Sequence, residues 1–330
     1  MANNENRGFN TVDESTVSRR DKRVRLQRMT FISIVAIAAL MVIALLVLVI
    51  GFIASGNGTT PSGGNNTTGG KVSWEKVTVT AQDTAKGDLL VVNKTQEYVF
   101  PEDESYLSKV YNVASKSASS YKQGSVDRME TTALLAMDKM LVDMAAATGY
   151  TKATVATGYR SFNDQESIGS STKGGYSDHH TGRLCALNVA NDDAKAWLDT
   201  NAHKYGFVVR YPDAKSDITG VSGYDNAYRY VGVAHATYMY SNNLCLEEYV
   251  DYLSANVTNK KPLTVNGADG NTYDIYYYTV SSSATVSVPT NYEYTVSGTN
   301  KGGVVVTVNR SVAAVETDTE TDTAAAAEEK

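Results

Sequence analysis

A chain of 330 residues with 42% hydrophobic residues suffices for one large domain or two small ones, and its net charge of −6 gives no sign of nucleic-acid binding. Its two cysteines, Cys185 and Cys245, are too few for a disulfide framework. Both stand in apolar surroundings and read as buried thiols, although an oxidising compartment would permit them to pair.

The charge is unevenly placed along the chain. Arg19, Arg20, Lys22, Arg23, Arg25 and Arg28 form a basic segment within residues 1–28. Then comes TFISIVAIAALMVIALLVLVIGFIA, Thr30 to Ala54, 25 residues without a charge. At ~1.5 Å per residue this run is long enough to cross a ~30 Å hydrocarbon core. It is too long for the roughly 7–15-residue apolar region of a cleaved signal peptide. No Lys or Arg follows until Lys71, so the basic flank sets the N-terminus in the cytoplasm. The expectation is a single-pass transmembrane helix over 29–54, with the remaining chain extracytoplasmic. Residues 55–70, SGNGTTPSGGNNTTGG, read as a flexible linker.

Folded sequence begins near Val72. KVTVTA and DLLVVN read as strands, with Lys86 to Asp88 as the turn between them. Residues 127–147 read as a helix, because Leu134, Met137, Leu141 and Met144 recur at a spacing of 3–4 and Gly149 stops the pattern. TKATVATGYRS reads as a strand running into a turn. A second helix is expected over 192–205, with Asp192 as N-cap and Gly206 as its stop. FVVRYP is a strand, and 244–254 a short helix closing a domain over 71–258. From Leu263 to Val312 alternating segments separated by Gly, Asn and Ser predict a β appendage of about four strands, at 259–313. The acidic tail, 314–330, has no core-forming pattern and reads as disordered.

The stretch GYSDHHTGRLCALNV, Gly175 to Val189, places two of the chain's four histidines side by side. A catalytic zinc site needs three protein ligands, an open position for water and a nearby carboxylate to take the water's proton. Around these histidines stand GDLLVVN, TGYRS with Gln165 downstream, WLDTNAHKYGFVVRYP, KSDITG, RYVGVAHATYM and LCLEEYVDYL. Together, over roughly 73–254, these stretches resemble the zinc D-Ala-D-Ala carboxypeptidases of the vancomycin-resistance type, within the lysostaphin/D-Ala-D-Ala metallopeptidase/hedgehog group. The resemblance implies an α+β fold: a small, mainly antiparallel sheet with packed helices, and a β appendage such as some Gram-positive members carry.

The resemblance also implies a site, and the sequence departs from it. The family's first ligand matches His179, preceded by Ser177. Its second, an Asp seven residues on, falls on Ala186. Aligned without gaps up to RYVG, the general-base position holds Tyr224 and the third-ligand position holds Ala227. Shifted registers offer only Asn188, a weak neutral ligand, or Asp225 as the base. Cys185 adjoins Ala186 but points to the opposite face of a strand. His180 could replace His179 but not add to it. Arg160 is expected to face a substrate carboxylate, with Ser177 and Gln165 beside it. Arg229, His203 and His235 read as structural, and Asp178 as a turn or cap residue.

The expectation is therefore a membrane-anchored, catalytically inactive pseudo-peptidase that binds peptidoglycan stem peptide or a cell-wall protein and holds no cofactor. The alternative is an active zinc D,D-carboxypeptidase with non-standard ligands. A second alternative is a cell-surface structural module carried by the β appendage.

Overall fold

The computed structural model describes residues 71–314. The basic segment, the apolar run over 29–54, the linker and the tail beyond Ala314 lie outside the described residues. No helix among the described residues is long and apolar enough to cross a membrane.

In chain order the elements that position the site begin with strands β1 (Trp74–Thr80), β2 (Leu107–Lys109), β3 (Lys122–Gln123) and β4 (Arg128–Glu130). Helix α1 (Thr131–Thr148) follows. The Glu130 side chain accepts the Ala133 N–H at 2.8 Å, and Gly149, at φ +71°, turns the chain out of the helix. Next come β5 (Thr154–Thr157), α2 (Phe162–Ser167) and β6 (Leu184–Asn188). Helix α3 (Asp192–Asn201) is capped by Asn191, one residue before the expected Asp192; the Asn191 side chain takes the Ala194 N–H at 2.8 Å. The predicted continuation to 205 is a separate 3₁₀ turn, Ala202–Tyr205, closed by Gly206. Strands β7 (Phe207–Val209) and β8 (Ala227–Tyr230) and helices α4 (Val233–Ser241) and α5 (Leu246–Asn256) complete this part.

The fold is mixed α+β. Its central sheet has the order β3-β5-β6-β8-β7 and is antiparallel except where β3 pairs with β5. One face is covered by α1, whose Leu134, Met137, Leu141 and Met144 are all fully buried. They share a core with Val155, Cys185, Leu187 and Tyr228. Burying side chains of this size stabilises by about 1.5–3 kcal/mol each. Both cysteines are free and buried. Cys185 belongs to this core, whereas its neighbour Ala186 points to the other face of the sheet.

The C-terminal region differs from expectation in two ways. It has five strands: β9 (Leu263–Asn266), β10 (Thr272–Thr279), β11 (Ser283–Pro289), β12 (Tyr292–Gly298) and β13 (Gly303–Ala313). Four of them form a sheet of order β12-β13-β10-β9, while β11 pairs antiparallel with the N-terminal β1. A shared core also crosses from one region to the other, with Met239, Tyr249 and Leu253 packed with Val265, Ile275 and Val305. His235 ties the two together. Its Nδ1 lies 2.7 Å from the Tyr249 hydroxyl and its Nε2 3.0 Å from Thr307 Oγ1. Burial pushes its pKa down to about 4.

DLLVVN is not a strand. It passes from a turn at Asp88 and Leu89 through the interior without joining a sheet, and much of its hydrogen bonding is to side chains. Arg229 donates to the carbonyls of Asp88 and Leu90, Arg210 to that of Val92, and Ser297 Oγ accepts the Leu89 N–H. Buried backbone groups must find partners, and here guanidinium groups meet part of that demand.

Candidate functional site

A cleft of about 890 Å³ opens beside the sheet, and Arg160, Gln165, Ser177, His179 and Tyr224 all line it. The chain leaves β5 through Gly158 and reaches Arg160. Ser161 then caps α2 in a reciprocal capping box with Asp164. That short helix returns Gln165, whose Oε1 accepts from Arg160 Nη1 at 3.2 Å and whose Nε2 donates to the Thr172 carbonyl at 2.9 Å. Gln165 thus holds the guanidinium and the facing loop together.

Ser177 precedes a buried 3₁₀ turn, Asp178–Thr181, which Gly182 ends at φ +68°. A Cβ at Gly182 would stand 2.7 Å from Leu107 and 3.0 Å from the Glu130 nitrogen, so the turn requires glycine. The turn sends its side chains to three destinations. His180 accepts the Gly175 N–H on Nε2 at 3.0 Å and donates from Nδ1 to the Arg160 carbonyl at 2.7 Å, so both its nitrogens are committed to positioning the loops. His179 donates from Nδ1 to the Gly158 carbonyl at 2.7 Å, which leaves Nε2 an acceptor towards the cleft. The Tyr224 hydroxyl donates to that nitrogen at 2.9 Å. Burial, reinforced by the nearby Arg160 cation, pushes the His179 pKa down to about 3 and keeps the ring neutral.

Asp178 takes the third destination. It lies in the turn, as expected, but its side chain does not cap it. Fully buried, it accepts from Arg210 Nε at 2.5 Å and from Arg229 Nη1 at 3.0 Å. Arg210 in turn makes two bonds to Glu247, at 2.9 and 2.7 Å. Arg229 is structural, as expected. His203 stacks on Tyr240 with ring centres 3.9 Å apart, but its Nδ1 is buried without a hydrogen-bond partner among the described residues, so it is less satisfied than the sequence reading held.

The two alanines sit directly opposite each other. Ala186 on β6 pairs with Ala227 on β8, and both are buried. Around Ala227 pack Leu184 and Tyr211, with Val221 and Tyr224 against them. The Tyr211 and Tyr224 rings stack at 5.8 Å and 14°. An apolar cluster with a tyrosine lid therefore occupies the ground where the resemblance would put two metal ligands and a base. Neither shifted register changes this, because Asn188 and Asp225 line a different cavity. Among the described residues no three His, Cys, Asp or Glu side chains gather as a metal site would require. One neutral imidazole, already hydrogen-bonded on both nitrogens, does not fit a zinc ion that takes three or four protein ligands.

The cleft also contains residues that sequence reasoning missed. Lys94 and Lys173 line it with Arg160, as do Asn93 and Tyr211, and no Asp or Glu does. Asn93 and Tyr211 stand inside the GDLLVVN and FVVRYP stretches but were given no site role, and Lys94 and Lys173 carried no motif signal. Arg160 makes its side-chain bond to the neutral Gln165 and has no carboxylate partner among the described residues. Chemically, the arrangement is a cationic, hydroxyl-lined groove suited to an anionic group.

Comparison with known proteins places this geometry. Residues 127–233 match the VanY family model, described as D-alanyl-D-alanine carboxypeptidase. A D-alanyl-D-alanine carboxypeptidase of Enterococcus faecium is 32% identical over 250 residues, covering 71% of this chain and 79% of the relative. One of Enterococcus faecalis is 42% identical over 82 residues, covering 23% and 31%. Among solved structures, the vancomycin-resistance D,D-dipeptidase VanXYg, in complex with a D-Ala-D-Ala phosphinate analogue, superposes with a TM-score of 0.60 at 22% identity, over 72% of this chain and 99% of that one. That similarity is one of fold.

Proposed function

The chain belongs to the VanY-type D-alanyl-D-alanine carboxypeptidase family, and from that premise we propose that it has kept the family's cleft as a binding site and given up hydrolysis. The relationship supports a peptidase-like role at the cell wall. On the present reading the protein is anchored by residues 29–54, with its main domain outside the membrane, and the cleft takes the C-terminal end of a peptidoglycan stem peptide. The observation that carries this is the Tyr224 hydroxyl on His179 Nε2, with Ala186 and Ala227 beneath it.

Family members are normally zinc-dependent, and zinc would supply them with an activated water. The donors present in this cleft do not fit a metal. What remains is recognition. The Arg160 guanidinium offers a planar fork to a carboxylate, held in place by Gln165. Ser177 adds a hydroxyl, and Lys94 and Lys173 raise the positive potential of the groove. The shared core around His235 argues against the C-terminal strands acting as a separate surface module.

The test is calorimetry on the full chain in mild detergent, with an N-acetylated tripeptide ending in D-Ala-D-Ala. The expected result is saturable binding that Arg160→Ala weakens at least about tenfold, a loss of roughly 1.4 kcal/mol, with no free D-Ala released. Release of D-Ala, stopped by a chelator, would instead establish the alternative of an active enzyme with non-standard ligands. No binding at millimolar peptide would sink the stem-peptide assignment and turn the search to a cell-wall protein partner.

A further inference from the structure

Tyr224 faces the cleft, but the next two residues face elsewhere. Asp225 and Asn226 line a second cavity of about 640 Å³, together with Asp199 of α3 and Tyr228 of β8. We propose that this second cavity is a binding site for an ammonium group on an aliphatic stem. The stem-peptide reading of the first cleft is not needed for it.

Three observations converge. The first is a pair of carboxylates with no cation in direct contact. Neither Asp199 nor Asp225 has a cation within ion-pairing distance among the described residues, and both line one cavity. Lys195 also lines it, but its ion pair is with Asp192, at 3.7 Å. Burial and then the charge of Asp225 push the Asp199 carboxyl above its usual range, and the weaker opposing pull of Lys195 does not cancel them. The second is the Tyr228 hydroxyl. Tyr228 is only 5% exposed, lines the cavity, and makes no hydrogen bond from its side chain to any described residue. The hydroxyl opens on the cavity rather than being sealed from solvent, so a ligand atom can take the place of water as its partner. The third is the wall. Leu187, Val189 and Leu198 flank the polar groups and give an alkyl stem an apolar surface.

A primary ammonium matches this set, with three donors for two carboxylates and a hydroxyl oxygen. A divalent metal does not match it, because calcium takes about six to eight oxygen ligands and the described residues gather no cluster of three acidic or metal-binding side chains. Lys152, also at the cavity, tolerates a carboxylate at the other end of the ligand.

The experiment is an NMR or calorimetric titration of the full chain with n-pentylamine, 6-aminohexanoate, hexanoate and calcium chloride. The two amines should saturate with millimolar affinity and hexanoate should not bind. Asp199→Asn with Asp225→Asn should weaken the amines at least about tenfold, and Tyr228→Phe several-fold. Both aspartates are exposed, so an unchanged unfolding midpoint in the double variant separates loss of binding from loss of fold. Amine binding that survives the double variant, no saturation up to roughly 100 mM, or calcium displacing the amines at equal concentration would each overturn the proposal.

Discussion

The Tyr224 hydroxyl stands 2.9 Å from His179 Nε2, and the Gly158 carbonyl stands 2.7 Å from the same ring's Nδ1. The imidazole is thereby fixed as the Nδ1–H tautomer, the form that would present Nε2 to a metal, but a phenol meets that nitrogen instead. Removing the phenol's hydrogen has a defined consequence. Tyr224→Phe leaves a buried acceptor with only cleft water for a donor, and should lower stability by about 1 kcal/mol. Nitrogen-15 NMR of the histidine rings is the direct check. In the wild type the His179 Nε2 resonance should report an unprotonated acceptor. A protonated Nε2 would contradict the assignment.

Acid should weaken the fold before the carboxylates titrate. All four histidines have their pKa values pushed down, chiefly by burial, to about 3 for His179 and about 4 for His235. Each therefore binds its proton more readily in the unfolded chain, where the ordinary value is near 6.5. Their contribution is present above pH 6.5 and is lost as pH falls through the window below it. At pH 5, His179 and His235 should each have forfeited about 2 kcal/mol. Urea midpoints at pH 7.5 and pH 5 measure this. Equal midpoints would mean that these rings are hydrated in solution.

What could be read from the sequence follows the range of the interactions. Helix α1 was legible because its signal is local: Leu134, Met137, Leu141 and Met144 share one face and Gly149 stops it. The members of the cleft were legible because resemblance ordered them, and the structure does bring Arg160, Gln165, Ser177 and His179 to one groove. DLLVVN was misread as a strand because its apolar run is the same whether its carbonyls meet a strand or the guanidiniums of Arg210 and Arg229. Those partners lie more than a hundred residues away. The pairing of β1 with β11 is equally remote. Asp178 was rightly placed in a turn, since Asp-His-His in a polar stretch has that composition, but its buried ion pairs were not foreseen. Its counter-ions stand 32 and 51 residues further on, and no local pattern announces them.

That buried Asp178 makes a third prediction. It stands between Arg210 and Arg229, all three are fully buried, and the two arginines in turn hold the carbonyls of Asp88, Leu90 and Val92. Asp178→Asn would keep the shape but remove the charge that both cations face. Breaking a buried pair from one side costs about 3–5 kcal/mol, since it leaves uncompensated charge behind. The variant should unfold at much lower urea, and cleft binding should fail with it, because His179 is the next residue. Asp199→Asn, an exposed carboxylate, is the control and should leave the midpoint within about 0.5 kcal/mol. Similar midpoints for the two variants would show that water reaches the Asp178 cluster.

The alanine pair gives the most direct test of what the cleft has lost. Residues directly opposite across an antiparallel pair project to the same face with Cβ atoms about 4.5–5.5 Å apart. Ala186 and Ala227 are such a pair, on the face that packs against Tyr224. Ala186→Asp with Ala227→His would therefore point a carboxylate and an imidazole to one place, and Tyr224→Ala would clear the ring that fills it and free His179 Nε2. Loss of the ring offsets the added volume, which alone would cost about 1–3 kcal/mol in a packed site. Titrated with zinc, the wild-type chain should show no binding that depends on His179. The triple variant should bind at micromolar affinity or tighter, and at a hundredfold excess over Kd should gain about 2.7 kcal/mol of stability. That gain should vanish when His179→Ala is added. Micromolar zinc binding by the wild type, lost in His179→Ala, would mean that groups outside the expected positions complete a metal site, and the reading of the chain as a pseudo-peptidase would fall.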